Sequence, residues 1–193
     1  MDFALTDEQR ALRDAAQDFA TSEFGDKAKQ LEESNIPVSF DDRMRMGEHG
    51  FLGVNVPIQY GGLGLDDLTA VLILEEYAKV SPAIAFPVFE SSFGPAKAIE
   101  RFGTDALKQR ILPRICCGRS IVSIAMSEPG AGSALTDLKT RGEDNGAVIT
   151  LNGQKRWCSG AGHADGYLVY CRLSDEPGAR GIGAVFVDGD KPG

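Results

Sequence analysis

Ile121-Val122-Ser123-Ile124-Ala125-Met126-Ser127-Glu128-Pro129-Gly130-Ala131-Gly132-Ser133 is the stretch around which the rest of the chain is organised. Its first half is apolar and partly β-branched, which suits a buried strand. Ser127-Glu128-Pro129-Gly130 then ends that strand abruptly. Proline fixes φ and lacks an amide hydrogen, and Gly130 and Gly132 permit positive φ. The chain turns sharply there, with backbone amides exposed and no large side chain beyond Pro129 to obstruct a flat ligand. Two small hydroxyls, Ser127 and Ser133, bracket the turn.

Upstream of this stretch the apolar residues recur at helical spacing. Leu5 to Phe24 reads as an amphipathic helix, with Thr6 as N-cap, Gln9 completing a capping box and Gly25 ending the run. A second helix is expected from about Ser39 to Glu48. The Gly- and Pro-rich segment from Val54 to Gly64 reads as a tight connector, since no Lys-Ser/Thr pair or helix-opening GxGxxG marks a phosphate loop. Asp66 to Val80 carries apolar groups on most faces, as a helix buried in a bundle does. Ser81-Pro82 restarts the chain. Ala83 to Phe102 then carries Phe86, Phe89, Phe93 and Ile99, interrupted by Pro87, Gly94 and Pro95. Thr104 caps a last helix, Asp105 to Ile115, which ends near Gly118.

Downstream the texture changes to strands. Ile121 to Met126 is one. Ala147 to Leu151 and Gln154 to Trp157 are expected to form a hairpin around Asn152-Gly153, with a further turn at Asn145-Gly146. Tyr167 to Arg172 and Gly183 to Val187 are strands separated by a turn-rich stretch. The fold class expected is therefore α+β: an N-terminal helical domain over residues 1–119, then a β-barrel-type domain over 120–193. Strands at this spacing suggest a small barrel or sandwich that is incomplete at Gly193. The chain reads as part of a longer protein, or as one completed by a partner chain.

Composition excludes several classes. The 193 residues hold 20 basic and 28 acidic side chains, a net charge of −8 that argues against nucleic acid as a main partner. No stretch reaches the roughly 18 uninterrupted apolar residues of a membrane helix. The start, Met1-Asp2-Phe3-Ala4, has none of the features of a signal peptide. Cys116, Cys117, Cys158 and Cys171 fit no zinc-ligand spacing, so no metal is expected and the cysteines read as reduced thiols in a cytoplasmic protein. His49 and His163 are isolated and pair with no evident nucleophile, which leaves a hydrolase reading without support.

Ser127-Glu128-Pro129-Gly130-Ala131-Gly132-Ser133 resembles the Thr/Ser-Glu-Pro-x-Ala-Gly-Ser signature of the acyl-CoA dehydrogenase family, flavoenzymes that desaturate acyl thioesters. Lys155-Arg156-Trp157-Cys158-Ser159-Gly160 resembles that family's Trp-Ile-Thr/Ser-x-Gly flavin contact. The opening Phe-x-Leu-Thr-x-Glu-Gln, the Tyr60-Gly61-Gly62 loop and Arg101-Phe102-Gly103-Thr104 match the same pattern, and the likeness runs from Leu5 to Pro192. Three positions depart from it. Ala134 stands where Asp is usual after Gly-Ser, which puts a local turn hydrogen bond in doubt. Ile124 replaces a frequent aromatic, and Cys158 a branched apolar residue.

The resemblance implies FAD as cofactor, an acyl-CoA substrate, and an electron-transfer flavoprotein as redox partner. It also implies a homotetramer engaged in fatty acid and lipid metabolism. An isoalloxazine ring needs an apolar contact on one face, donors for its pyrimidine edge and a donor near N5. By position, Ile124, Ala125, Met126, Ser127, Gly132, Ser133, Trp157, Cys158 and Ser159 would border the flavin. Ser127 would bond its pyrimidine edge and Trp157 would lie against the ring. Ser159, expected on the same strand face two residues on, would donate to N5, and Ser133 would also meet the CoA side of the substrate. Alone, Trp157 would read as core and Ser159 as a turn residue; the two segments together carry the flavin reading.

The family's catalytic base, a glutamate, belongs to a C-terminal helical domain beyond Gly193. Glu75, Glu76 and Glu90 match no catalytic position, and Glu128 belongs to the turn signature with a structural role. The function expected is α,β-desaturation to a trans-2-enoyl-CoA. A flavin oxidase or monooxygenase of the same fold, and a non-catalytic acyl-CoA-binding or assembly subunit, are the alternatives.

Overall fold

A computed structural model describes residues 4–34 and 36–191; Phe3 of the opening motif and Pro192 at the end of the likeness lie outside the described residues. The chain divides into two compact units between Ser120 and Ile121.

The first unit is helical. Helix α1 (Asp7–Ser34) opens on the expected capping box: Gln9 N donates to Thr6 Oγ1 and Thr6 N to Gln9 Oε1, both at 3.1 Å. It does not stop at Gly25. Ala16, Ala20, Phe24 and Ala28, four residues apart, are all buried, and Leu31 packs against the same core. A mid-helix glycine costs about 0.5–1 kcal/mol against alanine. Burying one leucine-sized side chain contributes about 1.5–3 kcal/mol, so the stripe carries the helix through.

Helices α2 (Phe40–Glu48), α3 (Asp67–Val80) and α6 (Asp105–Cys116) begin where their caps place them. Ser39 accepts from Asp42 N, Asp66 from Thr69 N, and Thr104 from Leu107 N. The segment after Ser81 becomes α4 (Pro82–Ser92) and α5 (Pro95–Phe102). Pro87 lies inside α4 rather than interrupting it. The residue whose carbonyl loses a partner, Ala83, is exposed in the first turn, so that carbonyl is open to solvent rather than stranded in the core. Between α2 and α3 the glycine-rich connector makes one 3₁₀ turn, Ile58–Tyr60. A Cβ on Gly62 would stand 2.1 Å from Val56 O, so close backbone packing accounts for that glycine.

Helix α3 is not buried all round. Ala70, Leu72, Ile73, Glu76 and Tyr77 face inward against α1 and α4, while Leu68 and Val71 are 51% and 46% exposed. An apolar helix needs a neighbour on each side to bury each face, and within this unit α1 and α4 cover one. Phe19, Phe24, Phe51 and Tyr77 form an aromatic cluster with ring centroids 5.3–6.5 Å apart.

The second unit is one mixed sheet. Strand β4 (Gly166–Arg172) lies between β1 (Val122–Ala125), parallel to it, and β5 (Ile182–Asp188), antiparallel. Strand β2 (Arg141–Asp144) meets the end of β4 at Arg141–Arg172 and pairs antiparallel with β3 (Ile149–Asn152). The architecture is thus the expected α+β, helices then sheet.

The hairpin differs from expectation. It turns at Asn145-Gly146, where Gly146 has φ +86° and Asn145 Oδ1 accepts from Ala147 N and Val148 N at 3.1 and 3.0 Å. Residues 154–157 form no strand. Gly153 serves close approach instead of a hairpin turn: a Cβ there would stand 2.3 Å from Thr140 Oγ1. Strand β2 reads Arg-Gly-Glu-Asp, with Gly142 its one buried residue, and so has no apolar alternation to betray it.

Candidate functional site

Strand β1 delivers the chain to a four-residue turn. Glu128 N donates to Ala131 O at 2.9 Å, and Ala131 N to Glu128 O at 3.2 Å. The Glu128 side chain points inward and is 8% exposed. Its Oε2 accepts from Lys139 N at 2.6 Å, and its Oε1 from Thr140 N at 2.9 Å and Lys155 Nζ at 2.8 Å. Burial alone would raise this carboxyl. The Lys155 ammonium and the donors at Lys139 and Thr140 overcome that and hold it down to about 2. Glu128 is therefore charged at neutral pH and fully engaged, a structural group and not a proton acceptor.

The same lysine draws the second segment in. Lys155 Nζ also donates to Met126 O at 3.0 Å, and Arg156 N donates to Ser127 O at 2.8 Å. The Ser127 turn and the segment 155–159 thus lie side by side, joined by one ion pair and two bonds to main-chain oxygens. Beyond them, a Cβ on Gly160 would stand 1.9 Å from Ser123 Oγ, so only glycine fits against β1 there. Ala161 N donates to Cys158 O at 3.1 Å and closes the turn that carries Ser159.

The residues singled out from sequence are distributed as follows. Ile124 and Ala125 end β1, with Ala125 buried and Ile124 half-buried; Met126 and Ser127 follow, half-buried. Gly132 and Ser133 are exposed on the far side of the turn, Cys158 is half-buried and Ser159 exposed. Trp157 is 78% exposed and has φ +60°, the left-handed region. Trp157 and Ser159 therefore do not share a strand face: they sit on an irregular segment, and the period of two does not apply to them. A bulky residue at positive φ costs about 1–3 kcal/mol and persists only where its surroundings over-determine it. The over-determining contacts are Lys155 and Arg156 on one side and the Gly160 packing on the other.

Sequence reasoning passed over Lys155 and Arg156. The separation of 27 residues between Lys155 and Glu128 leaves no local pattern that would pair them.

The arrangement suits the planar cofactor that the resemblance implies. A Cβ on Gly130 or Gly132 would meet nothing within 4 Å, so the turn presents open backbone. The hydroxyls of Ser127, Ser133 and Ser159 supply donors, and the exposed indole supplies an apolar plane. The residues present fit a flat ring with a hydrogen-bonding edge.

Comparison with known proteins gives matches over both units. The description of the acyl-CoA dehydrogenase N-terminal domain matches residues 6–119, and that of the acyl-CoA dehydrogenase middle domain matches residues 123–193. A mitochondrial isovaleryl-CoA dehydrogenase from Pongo abelii is 35% identical over 192 residues, covering 98% of this chain and 45% of that protein. The crystal structure of an acyl-CoA dehydrogenase from Geobacillus kaustophilus superposes with a TM-score of 0.89 at 32% identity, covering all of this chain and 51% of that one. An FAD complex of PigA gives 0.91 at 26% identity, with 100% and 51% coverage. The chain spans about half the length of the relatives it matches.

Proposed function

The chain belongs to the acyl-CoA dehydrogenase family, a family of oxidoreductases, and from that premise we propose that the protein containing it desaturates an acyl-CoA thioester. The α-hydrogen leaves as a proton and the β-hydrogen as a hydride, giving a trans-2-enoyl-CoA. In this reading residues 1–119 are the N-terminal domain and 120–193 belong to the middle domain. The observation that carries it is the side-by-side clamping of the Ser127 turn and the 155–159 segment by Lys155 and the Arg156 amide.

When bound, FAD supplies the hydride-accepting atom. The chain's own residues bind and orient. The Ser127 hydroxyl holds the pyrimidine edge, Trp157 lies against the ring, and Ser159 donates to N5. Ile124, Ala125, Gly132 and Cys158 border the ring, and Ser133 meets both the flavin and the CoA side of the substrate. Glu128 is already charged and takes three donors, so it holds the site's shape and leaves the α-proton to another group. We assign that proton to a carboxylate from the portion of the relatives' length that this chain does not span.

The redox partner in this reading is an electron-transfer flavoprotein, and the assembly a homotetramer working in fatty acid or lipid metabolism. Cys116, Cys117 and Cys171 are free thiols, which supports a reducing compartment, the cytoplasm in our reading. No helix among the described residues is long and apolar enough to cross a membrane.

The test uses the full-length protein. It should purify yellow with FAD, and a panel of straight-chain and branched acyl-CoAs added without air should bleach the flavin band for one class. Reoxidation of the bleached enzyme should be slow in air and fast with electron-transfer flavoprotein. A colourless protein that takes up no FAD sinks the flavin reading; rapid reoxidation by air converts the dehydrogenase reading into an oxidase.

A further inference from the structure

Trp157 is 78% exposed, so packing does not hold its ring in place. Its backbone, by contrast, is tightly directed. The preceding amide, Arg156 N, is bonded to Ser127 O, and Lys155 is bonded to Met126 O and Glu128. On the other side Gly160 sits against Ser123. These contacts aim the indole outward at φ +60° but leave its two side-chain torsions to be settled by something else.

The Arg156 guanidinium lies 4.4 Å from the indole centroid. A planar, weakly hydrated cation at that distance is attracted to the ring face, and Arg stacks there better than Lys. Lys155 is not available for the task, because its ammonium is engaged with Glu128 and Met126. With the guanidinium in place the ring is still 78% exposed, so a large part of it stays open to a ligand.

We infer that Arg156 is a positioning residue, its guanidinium backing the Trp157 indole on one face and orienting the ring for a planar ligand on the other. This rests on the reading of Trp157 as the flavin wall. Truncating Arg156 leaves the backbone bond to Ser127 in place and removes only the stack.

The test uses the full-length protein labelled with fluorotryptophan, with the Trp157 resonance assigned through Trp157→Phe. Arg156→Met removes the plane and the charge; Arg156→Lys keeps the charge alone. In the FAD-free protein the Trp157 resonance should shift and narrow in Arg156→Met and move part of the way in Arg156→Lys. An FAD titration should show affinity falling about two- to fivefold in Arg156→Met, the size of an exposed cation–π contact, with a smaller loss in Arg156→Lys. An unchanged Trp157 resonance in Arg156→Met overturns the inference, and so does a shifted resonance with FAD affinity unaltered. A wild-type protein that takes up no FAD is a different failure, visible in the same titration without any variant, and it removes the flavin reading itself.

Discussion

Around Ile73 and Tyr77 the helical unit is held by apolar packing, with the starts of α1, α2, α3 and α6 each fixed by a residue three positions before the amide it caps. Around Glu128 the β unit is held by a buried carboxylate whose donors come from 11, 12 and 27 residues away. Apolar packing degrades gradually, since each methylene removed costs a share. A buried ion pair fails abruptly, because losing one partner strands the other charge in a poor solvent. The unit that bears the candidate site is thus the one with the less forgiving support.

The sharpest way to break this contrast is Lys155→Met. It leaves Glu128 buried beside two amides with no cation, and such losses cost about 3–5 kcal/mol. Hydrogen exchange of the full-length protein should show deprotection over residues 121–191 and little change over 7–116. The double variant Lys155→Met/Glu128→Gln should recover part of the loss, since no charge is then stranded. Equal deprotection of both units by the single variant would end the distinction drawn here.

Acid probes the same group without mutation. Glu128 is held at about 2 when folded, against an ordinary glutamate value near 4.3 in the unfolded chain, a difference of about 3 kcal/mol. A depressed folded value means the stabilisation is complete above the unfolded value and drains away as pH falls from about 4.3 towards 2. The carboxylates of Asp66 and Glu23 are also held low, by Thr69 and Arg45; Asp66 is exposed, where such contacts contribute little, and Glu23 is half-buried but held less far down than Glu128. Exchange measured between pH 5 and pH 2 should therefore open residues 121–191 before the helical unit.

This contrast also explains what could be read from sequence. Helix starts at Thr6, Ser39, Asp66 and Thr104 were legible because cap and capped amide are neighbours in the chain. Strands β1, β4 and β5 were legible from their apolar runs. Strand β2 was not, because Arg141, Glu143 and Asp144 are exposed and carry no apolar period. The turn and the Trp157 segment were recognised as a pair, but the groups that join them, Lys155 and the Arg156 amide, act across 27 to 29 residues. No local pattern encodes a contact of that span. The strand assigned to 154–157 failed for the same reason: its conformation is imposed by partners in the turn, not by its own residues.

In the helical unit, Ile73→Val removes one methylene from a fully buried position. The expected loss is about 0.5–1.5 kcal/mol, read as a lower denaturation midpoint with exchange over 121–191 unchanged. A loss as large as that of Lys155→Met would mean the apolar unit is no more tolerant than the polar one.

The smallest effect tests where α1 ends. Gly25 sits inside the helix, exposed, and a Cβ there would meet nothing within 4 Å. Its φ is not in the left-handed region, so alanine fits without strain. Gly25→Ala should therefore stabilise the protein by about 0.5–1 kcal/mol, chiefly by restricting the unfolded chain. The gain should appear as slower exchange from Phe24 through Leu31, the segment whose Ala28 and Leu31 extend the buried stripe. Were α1 to stop at Gly25 as a glycine-capped helix, that position would need positive φ and alanine would destabilise it instead. The sign of one methyl group therefore decides whether the stripe or the local breaker governs this stretch.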